Sequence, residues 1–353
     1  MKLLAIDGNS IANRAFYGIK ALANKKGEFT NAIVGFMNIY LKNYGEIKPD
    51  KVAVAFDLHA PTFRHKAVES YKANRHGMPE ELHQQMPKIK ALLRSMGISV
   101  LEAEGWEADD ILGTLSRMAE EISAEAYLLT GDRDSYQLVN DRVTVHLAAN
   151  NETRIMDAKA IYEQYGVSPK QLIEVKALMG DSSDNIPGVA GIGEKGALAL
   201  ISRFGSLNAV YESYESADGI KPAMLAKLAA GREAAFISQT LAEICRTVPG
   251  MPTLAELETD GINKEEAKKL FTELEFGALI KKMGLDSVEV ACAIEQTSCE
   301  YKAENGVEAF VSILSADFPS ISINDTTAAV FDGSRLCTID ASSVPFDAVA
   351  AAA

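Results

Sequence analysis

Three short runs share one grammar: Lys2-Leu3-Leu4-Ala5-Ile6-Asp7, Lys51-Val52-Ala53-Val54-Ala55-Phe56-Asp57 and Ala126-Tyr127-Leu128-Leu129-Thr130-Gly131-Asp132. Each is almost wholly apolar, and each ends on an aspartate. Continuous apolar runs separated by helical patterns predict strands buried on both faces of a mainly parallel sheet. Such sheets bind their ligands outside the carboxyl ends of the strands. Three aspartates at three strand ends therefore predict an acidic site at one edge of an α/β domain.

The segments between these runs read as helices. Apolar residues recur at helical spacing over 31–44 and 80–96, with Gly97 placed to end the second helix. A third helix over 108–121 opens on acids, which the helix dipole favours. The polar, basic stretch between Asp57 and Pro79 lacks periodicity and reads as a long mobile insertion beside the site. We expect a catalytic domain over 1–165 and a helical subdomain over 166–285. A linker is expected over 286–304. A small α/β piece follows over 305–353, with strands at 328–331 and 336–339, and reads as the start of a truncated domain.

Net charge is -14, but -9 of it lies beyond Leu285. The first 285 residues are thus compatible with a polyanionic partner once bound cations offset clustered acids. The four cysteines form no CxxC pair, so neither structural zinc nor a disulfide framework is expected. No signal peptide or membrane-spanning run is found, and a cytoplasmic location is expected.

The acidic candidates are Asp7, Asp57, Glu107, Asp109, Asp110, Asp132, Asp134, Asp181 and Asp184. Any one of them could be an ordinary helix cap. Together, at one sheet edge, they would repel and raise one another's pKa values. Hard cations on oxygen ligands resolve that conflict, and His and Cys are absent from these motifs. A pair of such ions is the usual apparatus for phosphodiester hydrolysis. Basic residues lie close in sequence: Arg14, then Arg64 in Thr62-Phe63-Arg64-His65-Lys66, then Tyr71, Lys72 and Arg75. Cations with aromatic neighbours suit phosphate contacts and base stacking. The glycine turn Gly188-Val189-Ala190-Gly191-Ile192-Gly193, followed by Glu194 and Lys195, offers backbone N–H groups at a helix start. Its spacing does not fit an ATP-binding loop.

Long strings of this sequence resemble the 5′ nuclease domain of bacterial DNA polymerase I and the wider flap endonuclease family. They include Leu4-Ala5-Ile6-Asp7-Gly8, Tyr71-Lys72-Ala73-Asn74-Arg75, Glu107-Ala108-Asp109-Asp110-Ile111-Leu112-Gly113-Thr114 and Ala177-Leu178-Met179-Gly180-Asp181-Ser182-Ser183-Asp184-Asn185-Ile186-Pro187-Gly188. The resemblance covers about residues 1 to 285. It implies a PIN-like, mainly parallel sheet flanked by helices, with a helix-hairpin-helix subdomain of the helix-three-turn-helix kind. It implies two Mg2+ ions, replaceable by Mn2+. Asp7, Asp57, Glu107 and Asp109 look like ligands of the tighter ion. Asp132, Asp134 and Asp181, with Asp110 and Asp184, look like the group around the second. Lys72 and Arg75, on a helical arch near 62–85, look like catalytic residues alongside Asp109.

The same resemblance makes Arg14, Arg64, Tyr71, Lys72, Arg75, Gly188, Val189, Gly191, Ile192, Gly193 and Lys195 DNA contacts, with K+ held at the glycine turn. The implied substrate is branched, flapped or nicked DNA, cut by a monomer fused to a polymerase module and active in primer removal and repair. Residues after about 305 are similar to a degenerate 3′–5′ exonuclease-like domain. Two other readings are a catalytically dead DNA anchor, which would need a lost ligand, and an RNA-cleaving relative, which would lack the arch and glycine turn.

Overall fold

The computed structural model describes residues 1–75, 77–149, 152–257, 261–288, 302–315, 320–323, 327–332 and 334–344. Two compact units are present, Met1–Val290 and Ala291–Ala353. The first is built on a six-stranded sheet: β1 (Lys2–Asp7), β2 (Lys51–Ala55), β3 (Ser99–Leu101), β4 (Glu125–Thr130), β5 (Val143–Ala149) and β6 (Glu152–Met156). The order is β3-β2-β1-β4-β5-β6. Every pairing is parallel except β5 with β6. β1 lies between β2 and β4, where the strand order reverses. The chain therefore leaves the carboxyl ends of β1, β2 and β4 side by side, and the three expected aspartates meet at one edge.

Thirteen helices are described in this unit. They are α1 (Gly8–Gly18), α2 (Asn31–Ile47), α3 (Phe63–Ala67), α4 (Glu80–His83), α5 (Met86–Ser95), α6 (Ala108–Glu121), α7 (Ala158–Tyr165), α8 (Gln171–Met179), α9 (Glu194–Phe204), α10 (Leu207–Ser213), α11 (Pro222–Ala242), α12 (Lys264–Glu273) and α13 (Gly277–Lys282). The expected helix over 80–96 is two helices. Pro87 has no N–H to donate, so it sits in the first turn of α5 and the chain breaks before it. The buried Gln85 at that break accepts hydrogen bonds from Ala32 N at 2.8 Å and Ile33 N at 3.3 Å. It thereby caps α2, where no side chain of the N-cap residue does so.

One sheet face packs Leu4, Ile6, Val52 and Val54 against α1, α2 and α5 and against Phe271 and Leu279. The other packs Leu3, Ala5, Leu128 and Val145 against α6, Ile161 and the stretch from Ile244 to Leu257. A third core gathers residues of α8 to α11. The helices expected to form one subdomain over 166–285 are thus shared: α12 and α13 cover the sheet, while α8 to α11 have their own core.

The insertion after Asp57 is packed rather than loose. It holds α3, and Tyr71 buries itself with Ile186, Leu241 and Ala242. The reason is a set of partners far off in sequence, described below. The second unit pairs β7 (Lys302–Asn305), β8 (Ser320–Ile323), β9 (Thr327–Phe331) and β10 (Arg335–Asp340) in the order β7-β10-β9-β8, with α14 (Val307–Leu314) against them. β9 and β10 cover both strands expected there. Most of the expected linker lies outside the described residues.

Candidate active site

Asp7 ends β1 and caps α1, accepting from Ser10 N at 2.9 Å and from Thr130 Oγ1 at 3.0 Å. Asp57 follows β2 and accepts from Ala108 N at 2.8 Å. Beyond β4, Asp132 accepts from Asp134 N at 2.9 Å, so the chain turns and both aspartates face one way. The tilt that alternation along a strand would have forbidden is supplied by this turn. Glu107 and Asp109 stand at the N-terminus of α6. Asp7, Asp57, Glu107, Asp109, Asp132, Asp134 and Asp184 line one cavity of about 270 Å3, with Lys72 and Arg75 in its wall.

The electrostatics of this cavity are unfavourable without cations. Burial, then the charges of Asp57 and Asp132, push the Asp7 carboxyl up to about 7. Burial with Asp7 and Asp132 raises Asp109 well above the carboxylate range. Burial and Asp132 bring Asp134 to about 6. No three acidic, His or Cys side chains among the described residues are gathered closely enough to cage an ion as they stand. Lysine ammonium groups pair with these carboxylates instead. Lys72 Nζ lies 2.8 Å from Glu107 Oε1 and 3.9 Å from Asp184 Oδ2, and Lys176 bridges Asp134 and Asp181. The donors are all hard oxygens, in a cavity that disfavours its own charge, which fits a hard divalent cation.

A pH dependence follows from the raised carboxyls. Between the ordinary 3.8 and about 7, native Asp7 holds a proton that the unfolded chain has released. Stability of the metal-free protein therefore falls as pH rises through that window. A divalent ion removes the repulsion and binds the ionised form. Adding magnesium is thus expected to raise Tm more at pH 7.5 than at pH 5.5. Scanning calorimetry at both pH values checks this, and an equal gain at each would contradict it.

Several residues differ from expectation. Arg64 is only 3 % exposed. Its Nη1 and Nη2 each donate to Asp110 at 2.8 Å, Nε donates to Leu241 O at 2.9 Å, and Nη2 also donates to Glu243 O at 2.7 Å. These bonds tie α3 to α6 and to the end of α11. Asp110 is fully buried, and its oxygens also accept from Glu107 N at 3.0 Å and Cys245 N at 2.8 Å. Both its oxygens are committed to this network, so it caps α6 and serves as the counter-ion of Arg64. Tyr71 is 3 % exposed and donates to Glu107 Oε2 at 3.2 Å. Asp181 stands outside the main acid cavity and faces Lys176.

Lys72 and Arg75 lie in the wall of the acid cavity. Lys72 holds a left-handed backbone, φ 54°, an uncommon conformation for lysine. Lys72 N donates to Asp184 O at 2.9 Å, Asn74 Nδ2 to Ser182 O and Asn185 Nδ2 to Ser70 O, each at 2.6 Å. Arg75 pairs with Asp184. The segment 70–75 is thereby fastened to the loop 181–186. Arg14 lies in the wall of an adjoining groove with Asn13, Asn38 and Lys42.

In the glycine turn, Gly188 N donates to Ser238 Oγ, Val189 N to Leu178 O and Ile192 N to Val189 O. The side chains of Val189 and Ile192 are buried. These three residues shape the turn from inside and do not offer free amides. Gly188 has φ +60°, and a Cβ there would lie 2.3 Å from Gly180 N, so no larger residue fits. Gly191, Gly193 and Lys195 stand at the start of α9, where anions are favoured. Lys227 Nζ already donates to Gly191 O at 2.7 Å, placing a cation on the turn.

Some contributors carried no signal that the sequence reading used. Ser135 Oγ donates to Asp109 Oδ1 at 3.3 Å. Gln137 joins the 3₁₀ turn after Asp134 to Ala242 and Ile244. Lys176 stands among the buried Val175, Ala177 and Leu178, and a lysine beside them was the available clue.

Residues 2–166 match the family described as 5′-3′ exonuclease, N-terminal resolvase-like domain. Residues 167–265 match the 5′-3′ exonuclease, C-terminal SAM fold. Residues 2–265 belong to the 5′-3′ exonuclease family. The chain is 41 % identical over 290 residues to DNA polymerase I of Bacillus subtilis (strain 168), covering 82 % of this chain and 33 % of that protein. It is 39 % identical over 284 residues to thermostable DNA polymerase I of Thermus thermophilus, covering 80 % and 33 %. The chain spans about a third of the length of these relatives. Its fold is similar to that of the phage T5 D15 protein co-crystallised with metal ions, at TM-score 0.60 and 19 % identity over 77 % of this chain and 99 % of that one. It is also similar to flap endonuclease-1 from Methanococcus jannaschii, at TM-score 0.52 and 21 % identity over 81 % and 90 %. These likenesses concern a mixed α/β fold, a sheet flanked by helices. Among the described residues no helix is long and apolar enough to cross a membrane.

Proposed function

We propose that this chain is a divalent-metal-dependent, structure-specific 5′ nuclease acting on flapped or nicked DNA, with a role in primer removal and repair. The observation that carries the reading is one cavity lined by seven carboxylates with Lys72 and Arg75 in its wall. Asp7, Asp57, Glu107 and Asp109 would hold one Mg2+; Asp132 and Asp134, with Asp184 and Asp181, would serve a second. Bound there, the ions would supply an activated water and charge neutralisation at the phosphate. The protein's own part is to bind and orient. Lys72 and Arg75 face the phosphate from the segment fastened to 181–186. The start of α9 grips the duplex backbone without reading bases, as amides carry no base code.

The PIN-like and helix-hairpin-helix descriptions of the two parts belong to this reading, as does a polymerase module beyond it. Asp110, Arg64 and Tyr71 act by positioning Glu107. A monovalent ion at the glycine turn is less favoured, because the Lys227 ammonium already sits on Gly191 O.

Lys72→Ala tests the assignment. It is expected to lower kcat on a 5′-flapped duplex by about a hundredfold, the ordinary size of one charged stabilising contact. Affinity for the same duplex in calcium should fall far less. Single-turnover kinetics and fluorescence anisotropy separate the two, and unchanged turnover would remove Lys72 from the site.

A further inference from the structure

Lys176 has no part in the assignment above, yet it is set into the acid site with some care. It lies on α8 and is 9 % exposed, with Val175, Ala177 and Leu178 beside it in the helix and equally buried. A lysine at such a position is costly unless its charge is paired. Its Nζ meets Asp181 Oδ2 at 2.7 Å and also binds Asp134 Oδ2. The other oxygen of Asp181 is filled as well, accepting from Ser183 N at 2.7 Å and Ser183 Oγ at 2.6 Å. Asp181 thus has both oxygens committed, one of them to the lysine. The three side chains line a cavity of about 450 Å3 that shares Ser10, Asp132 and Asp134 with the main acid cavity.

We propose that Lys176 is a tethered counter-cation that occupies the ground between Asp134 and Asp181 and sets the affinity of the second divalent ion. This rests on the metal-dependent reading above. Two carboxylates this close to further acids would otherwise splay apart. The ammonium holds them in register with the cavity, and a divalent ion must share or displace it. One positive charge beside a cation site weakens binding there by plain Coulomb repulsion. Lys176 pairs with Asp134 and Asp181 and not with Asp7, Asp57, Glu107 or Asp109, which would hold the other ion, so that site should be little affected. The device gives the two sites unequal affinities, so that the second fills only at higher metal concentration or when a phosphate adds its own negative charge.

The test counts bound Mn2+ on the full chain by electron paramagnetic resonance and isothermal titration, without DNA. The wild-type chain is expected to take one ion tightly and a second more weakly. Lys176→Met keeps the length and removes the charge, and should bind the second ion about tenfold more tightly or better, with the first unchanged. Lys176→Arg should behave as wild type. Lys176→Gln, with a polar head, gives the same comparison if the Met variant does not fold. Unchanged affinities in both Met and Gln variants would overturn the inference, as would loss of the second ion. Absence of any bound ion in the wild-type chain would overturn the metal reading along with it.

Discussion

Asp109→Asn is expected to lower kcat for magnesium-dependent cleavage of a 5′-flapped duplex by about a thousandfold or more, ~4 kcal/mol of barrier. The same change should raise the Tm of the metal-free protein. Both effects have one origin. Asp109 lies among Asp7 and Asp132, and burial together with their charges holds its carboxyl well above the usual range. Replacing it with an amide of the same shape removes a repelled charge and keeps the contact with Ser135. The fold gains what the chemistry loses, the familiar opposition between stability and a strained site. Calorimetry in chelator and single-turnover cleavage in magnesium read the two sides. A variant that cleaves normally would remove Asp109 from the chemistry. A variant that is dead and less stable would mean the aspartate is a structural cap.

Arg64→Met is expected to cost roughly 3–5 kcal/mol of stability, the usual penalty for breaking a buried ion pair from one side. Asp110 is wholly inaccessible and would be left with only two backbone N–H partners. The double variant Arg64→Met with Asp110→Asn should recover a large part of the loss, because the amide leaves no unpaired charge. Urea unfolding of the four proteins closes the cycle. A loss below about 1 kcal/mol in the single variant would be only the worth of a surface pair and would contradict the buried tie. A fall in DNA affinity without loss of stability would restore Arg64 to the DNA contacts.

These two residues also show where reading the sequence stops. Three of the six strands, β1, β2 and β4, were legible because they are continuous apolar runs, and the aspartates at their ends mark the edge where the site lies; β3 is three residues long and β6 is mostly exposed, and neither carries that signal. Helix α6 was legible over its whole length, Ala108–Glu121, from its acidic start and its apolar period. What the local pattern does not encode is the identity of a charge's partner. Arg64 in a basic stretch reads the same whether it faces a phosphate or a carboxylate 46 residues away. Asp110 reads like Asp109 until one sees that helical geometry turns the two side chains apart, one toward the cavity and one into the core. Tyr71 offers a ring for stacking only if it is exposed, and its burial depends on Ile186 and Leu241. Lys176 was passed over for the opposite reason. It sits in an apolar helix where motif reading does not look, although a buried lysine there demands a partner. The glycine turn was legible as a turn. Which of its amides remain free depended on Ser238 and Leu178, which lie outside it.

The central claim is that the carboxylate cavity, loaded with divalent metal, hydrolyses DNA near a 5′ end at a junction. The direct measurement is cleavage of a 5′-labelled flapped duplex by the full chain, with magnesium and with chelator. The account predicts release of a short 5′-labelled fragment cut close to the junction, in magnesium only. It also predicts little cutting of a blunt duplex of the same sequence. Intact flap in both magnesium and manganese, with the duplex bound normally in calcium, would contradict it and leave a DNA-binding module in place of a nuclease.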